Sequence, residues 1–427
     1  MFKRELYLKK IRKMIDKEEV KIITGIRRSG KTCLLKLIEN ELIERGIPEE
    51  NIIYISFESA KYDHINNYKD LNDCIFEITK DIKGKIYLLF DEIQMVENWE
   101  KSINSYRIDL DSDIYITGSN SKLLSGEFAT LLSGRYIRIN VFPFSFKEYV
   151  EYSMEKYDMI NYEQNYNPLK LVNSSAEKLY SYNPLFISQF QNYISFGGFP
   201  ALIKYDDMEK FDYIRDIYDS VILRDILERN KIKDIDLLKR LIKYAISTTG
   251  QTFSSLSISK YLKSEGIKTS PKTILNYMDQ MTNSFLIYKA QREDIKGKNM
   301  LKSLEKYYVV DNSFYHMFND EETWDMGSIL ESIVYIELLR RGYRVTVGKI
   351  DNEEVDFVAR KNNQVIYIQV AETIMSKKTK EREHSSLKKI KDNYPKYIIT
   401  EDRIRSPVGS FIHLNIIDFL LSDYETF

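Results

Sequence analysis

Val20-Lys21-Ile22-Ile23-Thr24-Gly25-Ile26-Arg27-Arg28-Ser29-Gly30-Lys31-Thr32 decides the fold. The first five residues are a short β-branched run of the kind that forms a buried strand. The next eight match GxxxxGK[ST] at every fixed position, and Cys33, Leu34, Leu35, Leu37 and Ile38 continue with helical spacing of apolar residues. Strand, glycine loop and helix in that order are the setting a P-loop needs. Glycines let backbone N–H groups curl around a phosphate with no Cβ in the way. The helix N-terminus adds partial positive charge. The pattern therefore predicts that Gly25, Ile26, Arg27, Arg28, Ser29, Gly30, Lys31 and Thr32 wrap the phosphates of ATP. Lys31 would reach the β- and γ-phosphates, and the Thr32 hydroxyl would ligate Mg2+.

Downstream, 51–57 reads as a second strand, and Ile86-Tyr87-Leu88-Leu89-Phe90-Asp91-Glu92 is an apolar strand ending in two carboxylates. A buried parallel strand delivers such a pair at its C-terminal end, where open α/β sheets bind ligands. Asp91 is the expected metal residue and Glu92 the residue expected to polarise the attacking water. A further strand at 113–117 runs into Gly118-Ser119-Asn120-Ser121. Asn120 or Ser119 could sense the γ-phosphate there, although turns between strands and helices are commonly rich in the same residues. Arg135, in Ser133-Gly134-Arg135, is the candidate arginine finger, with Arg138 in reserve and a plain surface arginine as the other reading.

These motifs together resemble the prokaryotic ATPases of the AAA-like (AAA+) superfamily. The likeness rests on 25–32, on Asp91-Glu92-Ile93-Gln94, on Thr117-Gly118-Ser119-Asn120-Ser121 and on Ser133-Gly134-Arg135. The segment 141–149 and Gly197-Gly198-Phe199-Pro200 also fit. The resemblance implies an ATPase module, a winged-helix module and a C-terminal domain of restriction-nuclease-like fold. The expected class is therefore α/β multidomain: a P-loop parallel-sheet domain over 1–150, a connector or insertion over 151–205, a helical and winged-helix domain over 206–312, and a small α/β nuclease-like domain over 313–427.

Several residues beyond the P-loop fit that plan. Residues 206–243 have helical periodicity, and 257–282 read as helix, turn, helix, with Ser270 capping the second helix and Pro271 at its first position. Residues 285–288 and 307–310 would form wing strands. Over 231–310 there are 15 lysines and arginines against 7 aspartates and glutamates, in a chain whose net charge is −1. Lys272 and Asn276 could face duplex DNA, with Arg292, Lys296 and Lys298 on phosphates. A winged helix that binds protein or packs within the chain is the other reading.

In the C-terminal part the resemblance implies a helix glutamate at 331, a strand aspartate at 356, and Glu-x-Lys at 369–371. Glu331 and Asp356 are present, but position 369 is Gln and 371 is Ala. That loss of a carboxylate and a lysine points to a nuclease-like fold without nuclease activity. Glu372 is expected on the opposite strand face. The basic stretch 377–391 reads as a solvated helix face.

Composition sets the remaining bounds. At 427 residues, with 43% hydrophobic and 30% charged residues, the chain has material for roughly three packed domains. The two cysteines, Cys33 and Cys74, make no CxxC pair, and Cys33 is expected to be a buried thiol. The opening Met1-Phe2-Lys3-Arg4-Glu5-Leu6 has no apolar run of signal-peptide kind, so the cytoplasm is the expected compartment. Expected partners are ATP, then duplex DNA, protein or another copy of the chain, and no membrane.

Overall fold

The computed structural model describes residues 1–119, 132, 134–156, 183–227, 232, 234–297, 299–300, 304–319, 324–403 and 411–424. It divides into two compact units: Met1–Phe142 with Asn283–Phe285, and Pro143–Thr282 with Leu286–Phe427.

The first unit is a three-layer α/β structure. Its five strands are β1 (Val20–Thr24), β2 (Ile52–Ser56), β3 (Ile86–Asp91), β4 (Ser112–Gly118) and β5 (Tyr136–Asn140). They lie in the order β2-β3-β4-β1-β5, and every pairing is parallel. The strands read as unbroken apolar runs because both faces are covered. Ile22, Leu88, Phe90, Ile114 and Ile116 belong to one core, with residues of α3 (Tyr68–Thr79) and α4 (Trp99–Asp109). Ile23, Leu89 and Tyr115 belong to the other, with α1 (Glu5–Arg12) and α2 (Lys31–Glu44). Helix α2 buries Leu34, Leu35, Leu37, Ile38 and Leu42. Cys33 lies between the buried positions and is exposed, contrary to the expectation of a buried thiol.

The N-terminal part of this sheet has a polar lock. Lys21 Nζ and Asp113 Oδ1 form a fully buried ion pair at 2.6 Å. Lys21 Nζ also donates to the Lys17 carbonyl at 2.6 Å, and Asp113 Oδ2 accepts from the Asp16 amide and the Tyr115 hydroxyl. Burial pushes the Lys21 ammonium below its usual range, against the pull of Asp113.

The second unit begins with α5 (Phe146–Lys156), α6 (Pro184–Phe196) and α7 (Asp207–Ser220). Asp206 caps α7 through a reciprocal capping box with Glu209. A π-helix follows at Val221–Leu227, then α8 (Ile235–Ser247), α9 (Ser255–Ser264) and α10 (Pro271–Asn283). Ser270 accepts the Thr273 amide at 3.1 Å, as its capping position predicts. Strands β6 (Ile287–Ala290) and β9 (Lys306–Val309) pair antiparallel.

A separate seven-stranded sheet contains β7 (Arg292–Asp294), β8 (Asn299–Met300), β10 (Arg344–Ile350), β11 (Glu353–Lys361), β12 (Gln364–Val370), β13 (Lys396–Thr400) and β14 (Ile412–Asn415). Its order is β14-β13-β12-β11-β10-β7-β8. Residues between β6 and β9 thus continue the C-terminal sheet, because β7 pairs parallel with β10. Arg292 is accordingly turned into an ion pair with Glu354 at 3.3 Å, and Lys296 pairs with Asp351 at 2.6 Å. Lys298 lies outside the described residues. Helices α11 (Ser313–Phe318), α12 (Met326–Arg340), α13 (Lys377–Lys389) and α14 (Ile416–Leu421) complete the unit. Among the described residues, no helix is long and apolar enough to cross a membrane.

Candidate functional site

The sheet order puts β4 between the P-loop strand β1 and the carboxylate strand β3. Thr24 registers with Gly118, and Phe90 with Ile116, so the polar ends of the three strands lie side by side. Asp91 is the meeting point. The Thr32 hydroxyl donates to Asp91, 2.9 Å from Oδ2 and 3.2 Å from Oδ1. The Thr117 hydroxyl donates to Oδ1 at 2.6 Å. Burial pushes the Asp91 carboxyl up, while these two hydroxyls pull it back; Glu92 adds to the rise and Lys31 opposes it.

Two glycines shape the loop between β1 and α2. Gly25 has φ +151°, and a Cβ there would stand 2.0 Å from the Val141 carbonyl oxygen. Gly30 has φ +95° and caps α2. Lys31, buried, donates to the carbonyls of Gly25 and Ile26, both at 3.1 Å, which keeps its ammonium over the loop. Ser29 Oγ is buried without a hydrogen-bond partner among the described residues. This donor set fits a magnesium nucleotide: a hydroxyl beside a carboxylate for the metal, and an ammonium, a helix N-terminus and an unsatisfied hydroxyl for phosphate oxygens.

Glu92 is buried, with φ +54°. Its amide donates to Thr117 Oγ1 at 2.9 Å, and its Oε2 accepts from Gln94 Nε2. Ser119 is fully buried. Asn120 falls outside the described residues. Arg135 and Arg138 are exposed at and near the start of β5, and Arg138 Nε donates to Thr24 Oγ1 at 3.2 Å.

Three residues of the site were given no role from sequence, although Thr117 and Gln94 stand in the motifs. Thr117 joins Asp91 to the Glu92 backbone, and its signal was a lone hydroxyl at the end of an apolar strand. Gln94 holds the Glu92 carboxylate. Arg4, 2% exposed, donates to the carbonyls of Ser29 at 2.9 Å and Phe142 at 3.1 Å, so it braces the loop from outside. Nothing local marks Arg4, which lies far from the motif in sequence.

A second cluster gathers the C-terminal residues. Glu331, Asp356, Gln369 and Ala371 line one cleft. Lys306, on β9, enters the same cleft and bridges Glu331 and Glu354, 2.8 Å from each. Gln369 accepts the Asp356 amide at 2.7 Å and donates to Glu383 at 2.8 Å. Glu372 lines this cleft too, contrary to the expectation that it faces away. Strand β12 ends at Val370, so strict alternation does not extend to it.

Comparison with known proteins bears on the fold of the first unit. Residues 17–150 match the AAA domain family, and residues 187–324 match a domain of unknown function, DUF8612. An uncharacterized protein of Haemophilus influenzae is 41% identical over 94% of this chain and 93% of its own length. Another, MJ1544 of Methanocaldococcus jannaschii, is 33% identical over 82% of this chain and 72% of its own. Among solved structures, the Walker-type ATPase PABY2304 of Pyrococcus abyssi shares the fold with a TM-score of 0.50 at 15% identity, covering 74% of this chain and 96% of that one. The chain belongs to the family of the Haemophilus influenzae and Methanocaldococcus jannaschii proteins, and its residues 17–150 are an AAA domain of nucleotide-binding P-loop ATPase fold.

Proposed function

We propose that the chain hydrolyses ATP to ADP and phosphate in a Mg2+-dependent reaction and works as a nucleotide-driven switch. The observation that carries this reading is the 2.9 Å bond between Thr32 of the P-loop and Asp91 at the end of β3. Lys31 and the backbone of 25–32 hold the phosphates. Thr32 and Asp91 hold the metal. Bound there, Mg2+ would neutralise the charge on the β- and γ-phosphate oxygens. Glu92 orients the attacking water and accepts its proton. Asn120, or Ser119 beside it, senses the γ-phosphate, and Arg135 is the finger that completes the site. Turnover is slow until that arginine is docked.

The test is steady-state phosphate release by wild type and by Glu92→Gln. Nucleotide should still bind the variant while release falls by about 100-fold or more. Equal rates for the two proteins would remove Glu92 from the reaction.

A second reading, association with duplex DNA, has its own support. Lys272 and Asn276 are exposed on α10, and Lys260, Lys263 and Lys268 are exposed nearby. In this reading α9, α10 and the β6–β9 ribbon act as a winged helix. Duplex DNA should then raise the ATPase rate at low salt, high salt should abolish the rise, and Lys272→Glu should weaken it. A rate indifferent to DNA would move the search to protein partners. The C-terminal cleft is read as lacking nuclease activity, since Gln369 and Ala371 stand where a carboxylate and a lysine would act, and the Lys306 ammonium already neutralises Glu331 and Glu354.

A further inference from the structure

The C-terminal cleft has a volume of about 890 Å³ and is strongly acidic. Among the described residues, eight aspartates and glutamates line it, against two basic residues, Lys306 and Arg382. Lys306 answers Glu331 and Glu354, and Arg382 answers Glu383. Asp356, Glu372 and Glu381 make no ion pair with a described residue. Negative charge of this density, partly walled off from solvent, attracts a cation more strongly than the same charge on an open surface.

A second observation is independent of the charge. Ser386, on α13, lines the cleft at 2% exposure, and its Oγ has no hydrogen-bond partner among the described residues. Glu353 also lines the cleft, and its Oε2 is buried with no hydrogen-bond partner among the described residues, although Oε1 accepts from Ser385 at 2.8 Å and Lys389 at 2.6 Å. Buried acceptors without donors are uncommon in folded proteins. Each has the capacity to accept a further hydrogen bond.

We propose that this cleft binds a basic segment of a protein partner, inserting an arginine or lysine side chain between Asp356, Glu353 and Ser386 while the flanking chain crosses Glu372 and Glu381 at the mouth. Several features favour this ligand over others. Among the described residues, no three carboxylate, histidine or cysteine groups converge closely enough to hold a metal ion. A polyanion would be repelled by the same carboxylates. A guanidinium or ammonium on a flexible stem needs only scattered acceptors and a channel of side-chain width. This site lies in the second unit and does not depend on the nucleotide chemistry proposed above.

The test uses the full-length chain without nucleotide and a fluorescent peptide alternating arginine and glycine, followed by anisotropy at low salt. Wild type should bind. Glu372→Lys with Glu381→Lys, both exposed positions, should weaken binding about tenfold or more. A charge-matched control, Glu49→Lys with Glu50→Lys on the exposed surface of the first unit, should change it less than about twofold. Ser386→Ala should weaken binding with its salt dependence unchanged. The proposal is overturned if wild type does not bind, if the control weakens binding as much as the mouth variant, or if Mn2+ or spermidine alone displaces the peptide stoichiometrically. Those last outcomes would mark a metal or polyamine site instead.

Discussion

Thr117 donates its hydroxyl hydrogen to Asp91 at 2.6 Å. The same oxygen accepts the Glu92 amide at 2.9 Å, so one side chain sets the position of both carboxylate-bearing residues. It comes from β4, the strand between β1 and β3. Thr117→Val keeps the shape and removes both bonds. ATP turnover should fall about 10- to 100-fold, the range expected when a group orienting a metal ligand is lost, if Asp91 holds the metal as proposed, and Thr117→Ser should restore most of it. A valine variant with wild-type kcat and KM would show that Asp91 and Glu92 need no such support.

Gly25 marks where the P-loop leaves β1, and the backbone of Val141 lies tight against it. The Val141 amide donates to the Thr24 carbonyl at 2.7 Å, while the Val141 carbonyl stands 2.0 Å from where a Cβ on Gly25 would be. Alanine therefore meets backbone rather than a movable side chain, at φ +151°. Gly25→Ala should destabilise the first unit by about 1–3 kcal/mol and abolish binding of a fluorescent ATP analogue. Retention of wild-type affinity would mean that the loop can shift away from β5 at little cost.

The buried pair of Lys21 and Asp113 lies away from the phosphate site and should affect stability alone. Lys21→Met leaves the Asp113 carboxylate buried with only neutral donors, Asp16 N and Tyr115 OH. Breaking one half of such a pair costs about 3–5 kcal/mol. The double variant Lys21→Met, Asp113→Leu should recover part of that, because no buried charge is then left without its partner. Urea unfolding of the three proteins gives the coupling. Additive losses would show that the two residues act independently.

How much of this was legible in the sequence depended on how far apart the cooperating residues lie. The glycine loop, Lys31, Thr32, Asp91 and Glu92 sit in contiguous motifs whose spacing reflects local geometry, and the structure brings Thr32 and Asp91 into contact. Gln94 stands inside a motif but its bond to Glu92 was not legible, and Arg4 was not legible at all, because it meets Ser29 only after α1 packs beside α2. Arg292 read as a phosphate contact because a basic residue between two strands resembles a wing. Pairing of β7 with β10 turned it toward Glu354 instead. Lys306 had no motif to announce it, and its place in the C-terminal cleft follows from the crossing of β9 and α12.

His316 supplies a pH test of the second unit. Its Nε2 donates to the Ile194 carbonyl at 2.6 Å, and its ring lies 3.7 Å from that of Trp324. Its Nδ1 is buried without a partner among the described residues, so a second proton would find no acceptor there. Burial accordingly lowers its pKa to about 4, against 6.5 for the free side chain. Between those values the unfolded chain takes up a proton that the folded chain refuses. Stability should therefore fall as pH drops from 6.5 toward 4, by about 1.4 kcal/mol per pH unit and about 3 kcal/mol in all, with no contribution from this group above 6.5. His316→Gln cannot take up that proton. The gap between its urea midpoint and that of wild type should shift in favour of the variant as the solution is acidified. Parallel pH profiles for the two proteins would mean that His316 accepts a proton in the folded state as readily as in the unfolded chain.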